Sequence, residues 1–333
     1  MTVGTVHLSS ERLKFFVGVN TGYVTDGKLE QRFVDFYRRR SSPALHCAIV
    51  GNVVIPGGHG SNSRTPTISC ASDWAKLAGE IARKGSLPGI QLSTTWEGYS
   101  GSRSFRSPAA RETIGRAREL VRELGPARIA AALRALDKAS DIAVEAGFRH
   151  LQVHAAHGYL FSLLVDERLN EHASRVLKRL SEWAERHTAV GIETSIRISL
   201  RTGDSDFDAH GRNRFLAQMA TLPFDFVDVS SGFYDIDKRL IYPGRPDVLK
   251  TRRTETIEFA RNFPERRFIL SGRALMQPDH DLPPNLHLGF CRDLVANPDY
   301  LTDQSRGCAN SGKCHYFSRG GDHITCSQWA NQA

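Results

Sequence analysis

The sequence of 333 residues lacks any long apolar run, and this absence excludes a membrane-spanning helix. No stretch approaches the roughly 20 consecutive apolar residues that a helical span requires. Residues 1–8 also lack the basic start and the long apolar centre of a secretory signal, so we expect a cytoplasmic protein. Internal repeats and an inter-domain linker are not detectable, which favours one domain over residues 1–333.

An unbroken basic segment is also lacking, although the formal net charge is +8. Arginines alternate with acidic residues, as in segments 116–119 and 182–186. This alternation is typical of solvated helix faces and argues against a nucleic-acid partner. The excess positive charge remains suited to steering anionic substrates or NADPH. We expect a small-molecule substrate and no membrane partner, and assembly into a homo-oligomer stays open.

What the sequence does contain is a regular alternation of compact apolar runs and amphipathic segments. This order predicts a parallel sheet with helices outside it. The predicted strands, in order, are 13–20, 45–51, 89–94, 150–155, 194–200, 226–230, 267–270 and 286–290. The predicted helices are 28–40, 73–84, 109–124, 126–147, 172–189, 212–221 and 246–262.

Eight strands that alternate with helices predict an α/β fold, and specifically a (β/α)8 TIM barrel. A segment rich in Gly, Ser and Arg, followed by a charged helix, separates strand three from the next long helix. We expect this insertion, 96–125, to lie over the mouth of the barrel as a lid. The C-terminal tail, 303–333, contains three of the six cysteines, and this clustering favours a metal site or its remnant over a disulfide scaffold.

The residues best suited to chemistry follow the fourth strand, in the sequence LQVHAAHGYL of residues 151–160. Small residues after His154 let the chain turn, so that His157 and Tyr159 lie at the carboxyl end of the strand. Two imidazoles there can polarise a carbonyl oxygen, and the phenol can protonate the adjacent α-carbon. Each residue alone is more often structural, but the combination indicates a functional site.

Other polar residues follow the remaining strands, at the end of the barrel where active sites lie. Gly272 and Arg273 follow strand seven and Arg292 follows strand eight, where barrels commonly bind phosphate. Ion pairing on the surface is the alternative for the two arginines. Arg197 lies inside strand five, where a buried guanidinium needs an anionic or acceptor-rich partner.

The motif HAAHGYL resembles the signature of the old yellow enzymes, which are FMN-dependent ene-reductases built on a (β/α)8 barrel. The resemblance extends over residues 13–326 and implies FMN as cofactor, with NADPH or NADH as electron donor. It also implies that His154 and His157 hold the oxygen of an α,β-unsaturated carbonyl substrate and that Tyr159 supplies the proton.

Three other functions are weighed against this one. The same site suits a flavin-dependent dehydrogenation or a tailoring step in a biosynthetic pathway, and the barrel can also be a catalytically silent ligand-binding protein. A tRNA dihydrouridine synthase fits less well, because its acid is a lid cysteine and the His-x-x-His-Gly-Tyr set is foreign to that family.

The resemblance also assigns the positions that contact the flavin. Thr21 matches a residue near flavin N5 and O4, Gln91 matches the glutamine at the pyrimidine edge, and Arg197 matches the arginine near N1 and O2. Tyr23 matches a tyrosine that lines the substrate pocket in some branches. The implied cofactor-binding set is Asn20, Thr21, Gly51, Gln91, Arg197, Gly272, Arg273, Cys291 and Arg292.

The sequence departs from the family pattern at several positions. Val19 and Asn20 replace the usual Pro-Met, and Cys291 stands where glycine is usual. Segment 170–174 lacks the family's Tyr-Gly-Gly-Ser stretch, and the connection 274–285 is too short and rich in proline for a full helix. These differences concern the substrate range and the lid more than flavin binding.

Some branches of the family end in four cysteines that hold a [4Fe–4S] cluster. Here the tail has Cys308, Cys314 and Cys326, and Ser311 stands where a second cysteine, giving Cys-x2-Cys-x2-Cys, is expected. Three thiolates are one fewer than such a cluster usually has, so we favour thiols left from a lost cluster. His315 or His323 could instead complete a tetrahedral zinc site.

We predict that protein purified without oxygen contains no [4Fe–4S] cluster, because Ser311 replaces one of the four expected thiolates. Analysis of iron and acid-labile sulfide tests this prediction, and about four irons per chain would contradict it. Stoichiometric zinc would support the mixed Cys/His site instead.

Overall fold

The computed structural model describes residues 12–101, 103–107, 109–273 and 282–329. Its strands are β1 Lys14–Phe16, β2 Val24–Thr25, β3 Lys28–Leu29, β4 Cys47–Val54, β5 Leu87–Ser93, β6 His150–Ala155, β7 Glu193–Ser199, β8 Phe226–Ser230, β9 Phe268–Leu270 and β10 Leu286–Phe290. Its α-helices are α1 Gln31–Arg40, α2 Ser72–Arg83, α3 Ala110–Glu145, α4 Leu160–Leu164, α5 Ala173–Thr188, α6 Ser205–Ala209, α7 Arg212–Thr221, α8 Lys238–Ile241, α9 Pro246–Asn262 and α10 Arg292–Ala296.

Eight parallel strands close into a barrel in the order β1-β10-β9-β8-β7-β6-β5-β4, which confirms the predicted (β/α)8 fold. Strands β2 and β3 form a separate antiparallel hairpin. Strand β6 pairs with β5 and β7 in a register that places Gln91 opposite Gln152 and His154 opposite Arg197. The carboxyl ends of these strands therefore bring the polar candidates together at one rim.

Amphipathic spacing accounts for the helices that the sequence predicts. In α2, the residues Trp74, Leu77, Ala78 and Ile81 are all buried, as their spacing on one helix face requires. The predicted break between the helices 109–124 and 126–147 lies at Gly125, whose φ of 62° interrupts α3 immediately before Pro126. Glycine tolerates this left-handed conformation, and proline is favoured at the start of the helical segment that follows.

The structure corrects several predicted boundaries. The first strand is shorter than the predicted 13–20, because the chain leaves the barrel after Phe16 and Val19 makes only an isolated bridge to Gly51. Residues 28 and 29 form strand β3 of the hairpin, so helix α1 begins later than the predicted residue 28. The helices α4, α6, α8 and α10 were not predicted, since each is too short to show a helical period. Most of the connection 274–285 lies outside the described residues.

The end of the barrel at the amino termini of the strands, called the lower end below, is filled by an apolar cluster that is separate from the main core. It contains Phe15, Cys47, Ile49 and Phe226. A polar group is built into this end: Glu193 accepts hydrogen bonds from His46 at 3.0 Å and from His150 at 2.5 Å. These hydrogen bonds hold the pKa of the Glu193 carboxyl well below its usual range, although burial alone would raise it. The lower end is therefore closed, and the open rim is the opposite one.

No helix in the described part of the chain is long and apolar enough to cross a membrane. The insertion predicted as a lid contacts the segment that follows β8. The Ser107 backbone N–H donates to Ile236 O at 2.9 Å, and the backbone of Arg106 forms an isolated β-bridge with that of Asp237. Its helical part packs through Ile114 and Val121 as the first segment of α3. That the insertion lies over the mouth of the barrel as a lid stays a prediction.

Candidate active site

A deep cleft opens at the carboxyl ends of the barrel strands and encloses about 1270 Å³, counted with its open mouth. Its walls come from the barrel rim, from the segment after β5 and from the C-terminal tail. The candidates that line it are Asn20, Gln91, His154, His157, Tyr159, Arg197, Gly272, Arg273, Cys291 and Arg292. One cleft thus holds residues that the sequence placed within or directly after six different strands.

The two histidines and the tyrosine of the HAAHGYL motif are in mutual contact. His157 Nδ1 lies 3.2 Å from His154 Nε2, and His157 Nε2 lies 2.6 Å from Ser230 Oγ. The Tyr159 ring stacks on the His154 ring, with 4.9 Å between centroids and 25° between planes. Since His154 Nδ1 is buried and has no hydrogen-bond partner, the pair keeps one ring nitrogen for a ligand.

Local backbone geometry sets this arrangement. His157 has a φ of 66°, a left-handed conformation that is uncommon for a residue other than glycine, and Gly158 follows with a φ of 79°. The turn is held by a hydrogen bond from His157 N to Ser199 Oγ at 3.0 Å and by a bridge to Phe233. Strained residues of this kind persist only where the surroundings over-determine them, which is common at functional sites.

Burial keeps both imidazoles neutral and the phenol protonated. It lowers the pKa of His154 to about 3, with Arg197 adding to the effect, and it lowers the pKa of His157 well below its usual value. Burial also raises the pKa of Tyr159 well above 10, and Tyr234 and Tyr99 raise it further. The site therefore offers neutral hydrogen-bond donors for an oxygen beside a phenol that keeps its proton.

A chain of hydrogen bonds forms the floor of the cleft. Gln91 Nε2 donates to Gln152 Oε1 at 2.5 Å, Gln152 Nε2 donates to Asp228 Oδ2 at 3.2 Å, and Arg197 pairs with the same carboxylate oxygen at 2.6 Å. Arg197 thus has the anionic partner that its burial requires. The pairing fixes the Arg197 guanidinium at the wall of the cleft, next to His154.

Two further arginines give part of the cleft a positive charge. Arg273 donates to Cys308 O at 3.2 Å, and its Nε is buried with no hydrogen-bond partner. Arg292 donates to Asn310 Oδ1 at 3.0 Å and to Pro243 O. Gly272 has a φ of +93°, a conformation that glycine adopts without strain. Cys291, with a φ of −139°, has a backbone that does not require glycine.

Three predicted positions lie outside the lining of this cleft. Thr21 is fully buried, and its hydroxyl accepts a hydrogen bond from Tyr23 N. Gly51 donates its N–H to the Tyr37 hydroxyl. The Tyr23 hydroxyl donates to Ile324 O, and its ring contacts His323. The structure does not place these three residues with the histidines, and the adjacent Asn20 and Asn52 line the cleft instead.

Sequence reasoning missed a group of aromatic and cationic residues. Tyr99, Tyr234 and Tyr242 line the cleft, with the Tyr234 ring stacked on Tyr159 at 5.4 Å. Lys238 is 1% exposed and donates to Ser318 Oγ at 2.9 Å, and burial lowers its pKa to about 8. The only feature of the sequence that could have indicated these residues is that they follow strands β5 and β8, whose carboxyl ends lie at the cleft.

The C-terminal tail also forms part of the cleft, through residues 314–318. The His315 ring stacks on Tyr242 with 3.9 Å between centroids, and His323 lies against Tyr23. Ser327 Oγ donates to Ser311 Oγ at 3.1 Å. Among the described residues, no group of three His, Cys, Asp or Glu side chains is arranged to hold a metal ion.

Comparisons with known proteins agree with this fold. Residues 14–176 match the model of the NADH:flavin oxidoreductase / NADH oxidase family, a stretch that ends inside α5 and includes the HAAHGYL motif. Over these residues the chain is similar to this family, and its fold is that of the old yellow enzymes. No curated protein matches the chain.

Solved structures share the fold at low sequence identity. Histamine dehydrogenase from Rhizobium sp. 4-9 has a TM-score of 0.69 and 15% identity over 97% of this chain, which spans 51% of that protein's length. Old Yellow Enzyme from Pichia sp. AKU4542 has a TM-score of 0.64 and 16% identity, over 87% of this chain and 83% of its own. The old yellow enzyme homologue from Zymomonas mobilis has a TM-score of 0.58 and 17% identity, over 88% of this chain and 89% of its own.

The cleft fits the FMN that this family implies. Gly18 leaves room above Gln91, since a Cβ at Gly18 would lie only 3.1 Å from Gln91 Oε1. Gln91 and Arg197 supply polar groups for the pyrimidine edge of a flavin, and the buried, unpartnered Arg273 Nε suits an anion. A flat ring with a terminal phosphate is the kind of ligand that this donor set accepts.

We predict that the neutral histidines make stability dependent on pH. The unfolded chain protonates His154 near pH 6.5, whereas the folded chain does so only near pH 3, so stability falls as the pH drops through that window. Relative to His154→Asn, the wild type should lose on the order of 1–2 kcal/mol between pH 7.5 and 5. Urea unfolding at a series of pH values measures this difference, and parallel profiles would contradict the prediction.

Proposed function

We propose that this chain binds FMN, takes electrons from NADPH or NADH, and reduces the activated C=C bond of an α,β-unsaturated carbonyl compound. The observation that carries the proposal is the cluster of His154, His157 and Tyr159 in one cleft with the flavin-type donors Gln91 and Arg197. When bound, FMN supplies the redox chemistry by accepting a hydride from the nicotinamide and delivering one to the β-carbon.

The histidine pair supplies polarisation. Because both rings are neutral, each carries only one ring N–H. His154 Nδ1 is without a partner, and His157 Nδ1 can donate when the carbonyl oxygen replaces His154 Nε2 as its partner. These hydrogen bonds draw electron density away from the β-carbon. The effect of such a donor grows as negative charge develops on that oxygen. Ser230, at 2.6 Å from His157 Nε2, and the left-handed turn fix the ring that performs this task.

Tyr159 supplies the proton. Its phenol is protonated at neutral pH, since burial holds its pKa well above 10. Stacking against His154 on one side and Tyr234 on the other leaves little rotational freedom for the ring. The same residues would serve a dehydrogenation of the saturated compound in reverse, so the direction depends on the substrates supplied.

The charge of the cleft weighs against an amine as the substrate. Aromatic walls often hold organic cations, and Tyr99, Tyr159, Tyr234 and Tyr242 supply such walls here. However, the Lys238 ammonium lies 5.9 Å from the Tyr234 ring, and the nearby Asp235 carboxylate only partly counters the lowering of its pKa by burial. A neutral or anionic carbonyl compound suits this wall better than a second cation.

We predict that the purified protein carries FMN and not FAD, because Gly272, Arg273 and Arg292 form a site for a terminal phosphate. Heat release followed by chromatography identifies the cofactor. Recovery of FAD, or failure to bind any flavin after reconstitution, would contradict the assignment of the cleft.

We predict that Tyr159→Phe leaves flavin reduction by the nicotinamide nearly unchanged and slows flavin reoxidation by an enone, because the phenol acts only after hydride transfer begins. A nitroalkene should be affected less at the hydride step, since its nitronate product survives without immediate protonation. Stopped-flow absorbance measures each half-reaction. Tyr300→Phe, outside the cleft, is the matched control. Equal slowing of both half-reactions, or no change, would exclude Tyr159 as the acid.

We predict that His157→Ala slows enone and nitroalkene reduction alike, because both substrates need the oxygen donor. The expected loss of transition-state stabilisation is on the order of 2–4 kcal/mol, seen as a lower kcat/KM. Binding of phenolate-like ligands should weaken as well. If kcat/KM changed less than about threefold for both substrates, a role for the histidine as oxygen donor would be excluded.

A further inference from the structure

Arg252, on helix α9, is a buried cation for which the proposed mechanism has no role. Arg252 is 5% exposed and lines the same cleft as Arg273 and Arg292. Its Nη1 donates to Leu240 O at 3.1 Å, and its Nη2 donates to Val229 O at 2.8 Å and to Ser271 Oγ at 2.9 Å. Its Nε is buried and has no hydrogen-bond partner.

The unpartnered Nε lies at the loop that follows β9. A Cβ placed on Gly272 would be 3.3 Å from Arg252 Nε and 3.2 Å from Pro243 Cγ, so only a glycine leaves this space open. A buried N–H without an acceptor costs free energy, which a ligand oxygen in the cleft would recover. The backbone and the guanidinium therefore border one small polar space.

The positive charge around this space is only partly compensated, since the Asp228 carboxylate acts on Arg252 but is paired with Arg197. The hydrogen bonds that Arg252, Arg273 and Arg292 make within the described part of the chain all go to neutral oxygens. Burial, together with Arg197, lowers the pKa of Arg252 to about 9. Three clustered guanidiniums are stable in a folded protein when an anion joins them, and phosphate matches their hydrogen-bonding geometry.

We infer that Arg252 is a third cationic contact for the phosphate of FMN, beside Arg273 and Arg292. The Arg252 Nε–H donates to a phosphate oxygen, while its two terminal nitrogens stay on Val229, Leu240 and Ser271. This inference rests on the proposed function, because it takes FMN as the ligand of the cleft. It adds a residue from α9 to a site that otherwise comes from the loops after β9 and β10.

A purely structural role is the alternative, since Arg252 joins β8, α8 and the end of β9 through its carbonyl and hydroxyl acceptors. The two roles differ in their dependence on the phosphate. A structural defect would weaken binding of every flavin, whereas loss of a phosphate contact would weaken only a flavin that carries phosphate. Riboflavin, which has the same ring and ribityl chain, is the matched ligand.

The test compares the affinities of the wild-type apoprotein and Arg252→Gln for FMN and for riboflavin, by quenching of flavin fluorescence. We expect Arg252→Gln to weaken FMN binding by about 10- to 100-fold, the range for a charge-assisted hydrogen bond. Riboflavin affinity should change by less than about twofold. Arg266→Gln is the matched control, because Arg266 also has a buried, unpartnered Nε, while its Nη2 donates to Leu222 O at the other end of the barrel.

Each outcome decides a separate question. If the wild type binds neither flavin, the proposed function fails whatever Arg252 does. If the wild type binds FMN and Arg252→Gln loses both flavins equally, or loses neither, the phosphate contact is excluded. Should Arg252→Gln not fold, a crystal structure of the wild type with FMN decides, and a distance beyond about 3.5 Å between Arg252 Nε and the nearest phosphate oxygen would overturn the inference.

Discussion

The left-handed turn at His157 is the constraint on which the rest of the site depends. Without this turn, the chain would run from β6 directly toward α4, and the His157 ring would not contact the His154 ring. The turn places His157 Nδ1 at 3.2 Å from His154 Nε2, Ser199 holds its backbone, and Ser230 holds its other ring nitrogen. Three successive strands, β6, β7 and β8, thus contribute to one fixed imidazole, and Tyr159 follows within two residues. A site built on strand ends in this way is more rigid than one carried by a free loop.

Charge is divided between two sides of the cleft. Near the histidines, Arg197 is paired with Asp228, so the guanidinium is held at the wall while its charge is largely compensated. On the far side, Arg273 and Arg292 bond only to neutral oxygens among the described residues, and that side suits an anion. This division matches a ligand whose ring end is polar and whose other end is negatively charged. The neutral state of His154 and His157 follows from their burial and from the positive charge of Arg197.

The sequence alone predicted the barrel and the histidine pair because both depend on local spacing. Strand and helix periods are visible in short windows, and His154, His157 and Tyr159 lie within six residues of one another. Contacts between distant segments were not predictable in this way. The contact of His315 with Tyr242 and that of Lys238 with Ser318 join positions more than 70 residues apart. Thr21 and Tyr23 were assigned from resemblance. The Thr21 hydroxyl accepts a local hydrogen bond from Tyr23 N, whereas the Tyr23 hydroxyl donates to Ile324 O in the C-terminal tail, and neither residue lines the cleft.

The central claim is that the cleft transfers a hydride from a nicotinamide, through FMN, to the β-carbon of an activated alkene held by the two histidines. The most direct measurement uses the FMN-loaded protein without oxygen, a nicotinamide deuterated at the transferable C4 position, and 2-cyclohexenone. We predict a saturated ketone with one deuterium at the β-carbon, located by NMR and mass spectrometry. An unchanged enone beside a fully reduced flavin, or deuterium at the α-carbon, would contradict the account.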